Sequence, residues 1–293
     1  LTTYDGYAMT RRGEAARALS LAYAASFFGG CFSIILGLSA LMLFGPYLRD
    51  LGALFGQRDI FMAAALGAVL LIAAHRKTMG LAALLFGLGF LISLVGRQTT
   101  RQIDRFTFDI DYLFPGFNLI VVIVGIFAIS QALFLLTGKD ADPPEARLRG
   151  GLLRGFGELG RYKAVACISA GYGTIMGIIP GVGEFVAQFF SYSTARAISR
   201  DPGKFGRGAA DGLIASEASN NAVPAAAMVP LLALGVPGEA LTAMMMVVFF
   251  DAGIKPGPDI FENNPDFLFS LFIALLIINL LVVVVLLVST RWI

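Results

Sequence analysis

A chain of 293 residues with 57% hydrophobic residues, 14% charged residues and a mean hydropathy of +0.78 is not an ordinary soluble domain, which carries about 25% charge. The composition describes a polytopic membrane protein. The net charge of +2 says nothing about partners, and no nucleic-acid partner is expected. Charges gather in a few connectors, leaving apolar runs of the ~20 residues that a helical span requires. Glycine is abundant, at 34 residues, and small residues let membrane helices approach closely; Gly173 and Gly177 form one such pair.

The first apolar run, Ala18 to Leu48, follows the basic segment Arg11 to Arg17 and is long enough for one tilted span. Ile60 to Ala74 and Thr78 to Gly96 come next, separated by His75-Arg76-Lys77, which predicts a tight helical hairpin with a basic connector. In the polar stretch Arg97 to Asp111, the centre Arg105-Phe106-Thr107-Phe108-Asp109 alternates polar and aromatic residues and reads as a short extended or interfacial segment. Leu113 to Thr137 is a further span. The longest polar connector, Gly138 to Lys163, holds Pro143-Pro144 and the basic residues Lys139, Arg147, Arg149, Arg154, Arg161 and Lys163.

Counted on alternate sides, Lys and Arg divide eleven to five: Arg11, Arg12, Arg17, Arg76 and Lys77 join the connector, against Arg49, Arg58, Arg97, Arg101 and Arg105. The positive-inside rule then predicts a cytoplasmic N-terminus and connector. The expected organisation is membrane helices over 1–137, a cytoplasmic connector over 138–163, and a second part over 164–293.

Beyond Lys163 the pattern changes. Ala164 to Ile179 is apolar, Pro180-Gly181-Val182-Gly183 breaks it, and Glu184 to Ile198 resumes a helix before the polar Ser199 to Arg207. Both ends are basic, so a re-entrant hairpin with its tip at Pro180 to Gly183 fits better than a full crossing. Gly208 to Gly235 carries Pro224 and Pro230, and a second break, Val236-Pro237-Gly238-Glu239, leads into Ala240 to Ile254. A final unbroken run extends from Phe267 to Thr290.

Hydrocarbon offers no water to a freed backbone group, so a broken helix at membrane depth survives where it is packed in protein or lines a wet cavity. Proline removes a donor from the carbonyl four residues earlier, which frees Met176, Asn220 and Ala233 opposite Pro180, Pro224 and Pro237. Freed carbonyls suit Na⁺, and helices starting after a break aim their N-terminal amides at an anion. The plainer alternative is that these prolines kink packed helices.

Between the breaks lies Ser216-Glu217-Ala218-Ser219-Asn220-Asn221. Spacings of three and four put Glu217, Asn220 and Asn221 on one helix face, bordered by Ser216 and Ser219, with Asp211 off it and interfacial. An ionised carboxylate in hydrocarbon must face protein, a cation or water. Glu217, with Ser216, reads as a ligand for a coupling Na⁺ or H⁺, and the asparagine amides as donors to substrate oxygens; a helix-helix hydrogen-bond cluster is the alternative. Glu184 and Glu239 begin the helices after the breaks. A carboxylate is stabilised there by the dipole, but it also repels an anionic substrate.

Cys31 and Cys167 stand apart in apolar runs and read as packing residues, and His75 as an interfacial base. No metal ligand set and no resident cofactor are expected, apart from Na⁺ as a coupling ion. The opening Leu1-Thr2-Thr3-Tyr4-Asp5 has no basic region followed by an apolar one, so no cleavable signal is expected, and the absence of an initiator Met suggests a piece of a longer chain.

These segments resemble the TctA family, the large membrane subunit of tripartite tricarboxylate transporters. The resemblance lies in Gly177-Ile-Ile-Pro-Gly-Val-Gly183, Arg200-Asp-Pro-Gly-Lys-Phe-Gly206, Glu217-Ala-Ser-Asn-Asn-Ala222, Pro230-Leu-Leu-Ala-Leu-Gly-Val-Pro-Gly238 and Gly253-Ile-Lys-Pro-Gly-Pro258. Asp5-Gly-Tyr-Ala-Met-Thr-Arg-Arg-Gly13 and Arg105-Phe-Thr-Phe108 extend it over nearly the whole chain.

The resemblance implies an all-α, repeat-derived bundle with broken helices in the bacterial inner membrane. Such a bundle works with a small membrane subunit and a periplasmic solute-binding protein. It implies gradient-driven uptake of citrate and other carboxylates, with Pro-Gly loops touching the substrate. Those roles fall on Pro180, Gly181, Gly183, Pro237 and Gly238, beside Asn220 and Asn221.

Three departures accompany it. Members are usually longer, and Asp251-Ala-Gly-Ile-Lys-Pro-Gly257 loosely echoes Asp5 to Gly13, as though the chain opened inside a repeat. Glu184 and Glu239 stand where many members carry small or hydroxyl residues, which bears on whether the substrate is a tricarboxylate. Ser219 replaces a common alanine. The competing classes are an intramembrane enzyme using Glu217 or Glu184, for which no nucleophile-base pair is visible, and a non-transporting scaffold.

Overall fold

In the computed structural model the described residues are 1–54, 78–98, 103–117, 125–129, 151–180 and 182–290, with isolated positions between them. In chain order the elements are α1 (Thr2–Arg11), α2 (Ala15–Leu54), α3 (Met79–Ser93), β1 (Gly96–Gln98) and β2 (Ile103–Arg105). They continue as α4 (Arg154–Leu159), α5 (Lys163–Ile178), α6 (Gly183–Ile198), α7 (Ala210–Leu234), α8 (Ala240–Asp251), α9 (Ile260–Asn263) and α10 (Pro265–Ser289). The chain divides into two compact units, 1–71 with 144–293, and 72–143.

The larger unit is built around α7, which is buried along almost its whole length and packs against α2, α5 and α6. Small residues make that possible. A Cβ on Gly29 of α2 would lie 2.2 Å from the Ala218 carbonyl oxygen, and one on Gly173 of α5 would lie 2.2 Å from that of Ser219. Both helices therefore approach the α7 backbone to a distance that only glycine allows. Larger side chains close the two ends, with Met9, Leu21, Leu213 and Ile214 at one and Met228, Leu231, Leu232, Phe249 and Phe272 at the other.

The start of α7 is fixed by the N-terminal segment. Asp5 on α1 is fully buried, and its Oδ1 accepts from the backbone N–H groups of Gly206, Gly208 and Ala209 at 2.9, 2.8 and 2.7 Å. Its Oδ2 accepts from the Tyr192 hydroxyl of α6 at 2.8 Å. Four donors compensate a carboxylate that would otherwise be costly to bury. Arg12 donates to the Gly208 carbonyl at 2.8 Å, so the Asp5–Gly13 and Arg200–Gly206 motifs meet as a structural clamp.

Two described helices are long and apolar enough to cross a membrane, Ala15–Phe44 within α2 and Pro265–Ser289. On α10, Ile277, Leu281 and Val285 face outward, while Asn279 turns inward and donates to the Phe27 carbonyl at 3.1 Å. α3 is apolar over 15 residues. The expected span Ile60 to Ala74, the His75-Arg76-Lys77 connector and Gly138 to Gly150 lie wholly or largely outside the described residues, whereas Leu113 to Thr137 is described in part, opening on a 3-10 turn, Asp111–Leu113, and holding a π-helical turn at Gly125–Ile129.

In the smaller unit, β1 and β2 form an antiparallel hairpin with Gly96 opposite Arg105 and Gln98 opposite Ile103. The Arg97 guanidinium bonds Asp104 at 2.7 Å and lies 4.8 Å from the Phe114 ring centre. The extended segment thus ends at Arg105 instead of starting there. Phe106, Phe108 and Asp109 have φ of 52°, 50° and 58°, a left-handed conformation that turns the chain and cannot continue a strand.

Candidate functional site

Within α7, Glu217, Asn220, Asn221, Pro224 and Leu234 are partly accessible and every other residue is buried. The first four fall at i, i+3, i+4 and i+7, which is one stripe of a helix. A helix that buries its Ala, Leu and Ile residues on all sides therefore opens along its polar line. Pro224 lies inside the helix, and its missing N–H leaves the Asn220 carbonyl without the usual donor. That carbonyl belongs to the same stripe.

Each side of the stripe is held by a different helix. Ser26 on α2 donates to Glu217 Oε2 at 2.6 Å, and Gln188 on α6 donates to Asn220 Oδ1 at 2.5 Å. Asn221 donates to the Glu217 carbonyl at 3.0 Å and to its Oε2 at 3.4 Å. Ser26 and Gln188 were not legible as site residues, because their partners lie 191 and 32 residues away in sequence. Ser216 stands apart from the stripe, fully buried, with its hydroxyl unpaired. Ser219 is also buried and bonds the Ala215 carbonyl at 2.8 Å.

The first break separates α5 from α6, two 16-residue helices that pack on each other and on α7. Helix α5 stops at Ile178, where Ile179 turns to extended backbone, and α6 begins at Gly183 with φ 70°. Pro180 is partly accessible and Glu184 lies in the first turn of α6. Gly181 lies outside the described residues.

At the second break Gly235, not Pro237, ends the helix. Gly235 adopts φ 70°, its N–H bonds the Leu231 carbonyl at 2.9 Å, and Val236 N–H bonds that of Pro230 at 3.3 Å. This is a left-handed glycine cap, so Pro237 follows a helix already closed and the expected release of the Ala233 carbonyl by Pro237 does not arise. Gly257 N–H bonds the Leu232 carbonyl at 3.1 Å, which docks the Gly253–Pro258 motif on the same end.

Gly238 brings the breaks together. A Cβ there would lie 3.1 Å from the Gly177 carbonyl oxygen of α5 and 3.1 Å from Ala227 Cβ of α7. Glu239 precedes α8, with its N–H bonded to the Thr242 hydroxyl at 3.0 Å. Its Oε1 is buried without a hydrogen-bond partner, and Glu184 is near enough to act on it electrostatically. Two carboxylates, one from each tip, therefore lie within electrostatic reach of one another, and the accessible polar stripe belongs to the helix between the breaks.

A polar stripe on a buried helix, set between helix breaks in an apolar bundle, is an arrangement found in helical membrane transporters. The chain belongs to the Tripartite tricarboxylate transporter TctA family, whose model matches residues 1–293. It is 30% identical over 284 residues to an uncharacterized 52.8 kDa protein in the TAR-I ttuC' 3' region of Agrobacterium vitis, covering 97% of this chain and 56% of that protein. It is 37% identical over 112 residues to an uncharacterized protein in the TAR-II ttuC' 3' region of the same organism, covering 38% of this chain and 46% of that protein. The chain spans about half the length of these curated relatives. No solved structure matches.

Proposed function

We propose that this chain is the permease subunit of a binding-protein-dependent secondary transporter that takes up an organic carboxylate on a Na⁺ or H⁺ gradient. The substrate class is a citrate-like tricarboxylate or a dicarboxylate. The subunit works in the bacterial inner membrane, which it crosses several times, beside a small membrane subunit and a periplasmic solute-binding protein. The observation that carries this reading is the accessible stripe of Glu217, Asn220, Asn221 and Pro224 on an otherwise buried helix.

The roles follow from donor and acceptor chemistry. The Asn220 and Asn221 amides hydrogen-bond carboxylate oxygens, with Pro180, Gly181, Gly183 and Pro237 giving a substrate close access to backbone and Gly238, buried against Gly177 and Ala227, holding the two tips together beside it. Glu217 takes the coupling ion, with the Asn220 carbonyl as a neighbouring oxygen ligand. Ser216, buried beside Glu217, is a reserve hydroxyl for that ion if the helix opens. The α5–α6 hairpin acts as a re-entrant tip, since 16 residues at 1.5 Å each reach about 24 Å, short of the ~30 Å hydrocarbon core.

Glu184 and Glu239 set the electrostatic condition for binding. A helix N-terminus contributes up to about 2 kcal/mol to a bound anion, whereas two unit charges ~4 Å apart repel by about 4 kcal/mol at an effective dielectric of 20. Repulsion wins. An anion therefore binds once a proton or cation neutralises this pair, which couples ion uptake to substrate uptake in one site.

The test is uptake of labelled citrate, a dicarboxylate and a monocarboxylate into proteoliposomes holding the complete complex, under a Na⁺ gradient, a pH gradient or neither. Gradient-dependent uptake of a di- or tricarboxylate that falls to background with Glu217→Gln is expected. Gradient-independent accumulation, or no uptake of any carboxylate with loaded binding protein present, overturns the reading.

A further inference from the structure

Two cavities open at the basic ends of these helices, and Arg161 lines both. The first, of about 450 Å³, is bounded by Arg17, Arg154, Gly157, Glu158 and Arg161. The second, of about 370 Å³, lies where α5 begins and α6 ends, and joins apolar Val165, Ala195 and Ile198 to the cations Arg161, Arg200 and Lys204 and the carboxylates Asp201 and Asp211.

The acids at these cavities are engaged by only two of the five cations, Arg17 and Lys204. Arg17 takes up both neighbouring carboxylates, bonding Glu14 at 2.6 Å and gripping Glu158 through two guanidinium nitrogens. Lys204 bonds Asp211 at 2.9 Å, and Asp201 accepts from Gly203 N–H at 3.2 Å. Glu158 lies within electrostatic reach of Arg161 but is already held by Arg17. Among the described residues, Arg154, Arg161 and Arg200 therefore have no carboxylate hydrogen-bonded to them. Their position along the spans is also defined. Arg17 is two residues into the apolar helix Ala15–Phe44, and Leu153 and Ile198, next to these cations, expose 66% and 55% of their surface. Unmatched guanidiniums beside exposed aliphatic side chains mark the headgroup level of a bilayer.

We propose that Arg161 and Arg200, which line the second cavity together, bind the phosphate of an anionic phospholipid, whose acyl chains begin against Val165, Ala195 and Ile198. A phosphate offers several acceptor oxygens to the fork of each guanidinium. The apolar lining of the second cavity favours an amphiphile over a free anion. A lipid seated there would bridge the start of α5 and the end of α6 and brace the hairpin that carries Pro180 and Glu184.

The test titrates the intact protein, purified in a neutral detergent, with phosphatidylglycerol, phosphatidylcholine or inorganic phosphate, reading the thermal midpoint and the lipid retained by native mass spectrometry. Phosphatidylglycerol alone should raise the midpoint. Arg161→Gln and Arg200→Gln should each lower its retention by about fivefold, Arg161→Lys should keep most of it, and Arg105→Gln, outside both cavities, should not change it. Equal stabilisation by phosphatidylcholine, an equal effect of inorganic phosphate, or unchanged retention in the double Arg161→Gln, Arg200→Gln variant overturns the proposal. Should the variants fail to fold, the comparison of the three additives on the parent protein still decides it.

Discussion

The Ser26 hydroxyl donates to Glu217 Oε2 at 2.6 Å across 191 residues of sequence, tying a membrane-length helix to the accessible polar stripe of α7. A donor on one carboxylate oxygen holds the group in place and competes with any ion that needs the same oxygen. Ser26→Ala removes that hold. With a hydrogen bond to a charged group worth about 1.5–3 kcal/mol, the half-saturating concentration of the coupling ion should change by about tenfold or more, while protein yield stays close to the parent's. Uptake measured against Na⁺ concentration and pH checks this. An unchanged ion dependence would remove Ser26 from the site.

Gln188 plays the matching part on the other side, at 2.5 Å from Asn220 Oδ1. Gln188→Leu leaves the Asn220 amide free to turn, and the apparent affinity for carboxylate should fall by about fivefold, the equivalent of one neutral hydrogen bond near 1 kcal/mol. Substrate titration of uptake at saturating ion reads this directly. An altered ion dependence with unchanged substrate affinity would contradict it.

Close packing of α5 on α7 predicts opposite results for two neighbouring glycines. Gly173→Ala would put Cβ 2.2 Å from the Ser219 carbonyl, whereas a Cβ on Gly171 meets nothing within 4 Å. The first should destabilise by about 1–3 kcal/mol or fail to accumulate, and the second should be neutral. Thermal midpoints of the two variants provide the comparison.

The Asp5 clamp is open to the same kind of measurement. Asp5→Ala leaves the N–H groups of Gly206, Gly208 and Ala209 without their acceptor. At about 1 kcal/mol or more for each stranded donor, the loss should reach at least about 3 kcal/mol. Asp5→Asn, which keeps an oxygen acceptor, should recover part of it.

The ion pair between α2 and α4 predicts a pH dependence. Hydrogen bonding from Arg17 is the largest influence on the Glu158 carboxyl and holds its pKa below the ordinary 4.5. A depressed acid stabilises the fold above its unfolded pKa and loses that contribution as pH falls through its folded pKa. The pair is partly exposed and worth no more than about 1 kcal/mol. The difference in thermal midpoint between the parent and Glu158→Gln should therefore be small at pH 6 and vanish as the pH drops well below 4.5.

The sequence showed part of this arrangement for physical reasons. Helical spacing places Glu217, Asn220 and Asn221 on one face whatever packs around them, and Pro-Gly pairs interrupt helices locally. It did not show that the rest of α7 would be buried, since that depends on Gly29 and Gly173 letting two distant helices approach. Gly235 ends the helix because only a residue free to adopt φ 70° closes it there, and Pro237, two residues on, follows a chain that has already left the helix. Alternation at Phe106 and Phe108 mimics an extended segment, while left-handed φ values there form a turn after the strand that ends at Arg105.

The accessibility of the stripe can be measured directly. In a protein carrying Cys31→Ala and Cys167→Ala, single substitutions Asn220→Cys, Asn221→Cys, Ala218→Cys and Ala222→Cys are reacted with a membrane-impermeant maleimide, with and without carboxylate and coupling ion. Labelling at 220 and 221 but not at 218 and 222, and its suppression by carboxylate only when the ion is present, is the predicted result. Equal labelling at all four positions, or labelling at 220 and 221 that substrate and ion leave untouched, would contradict the assignment of this face to transport.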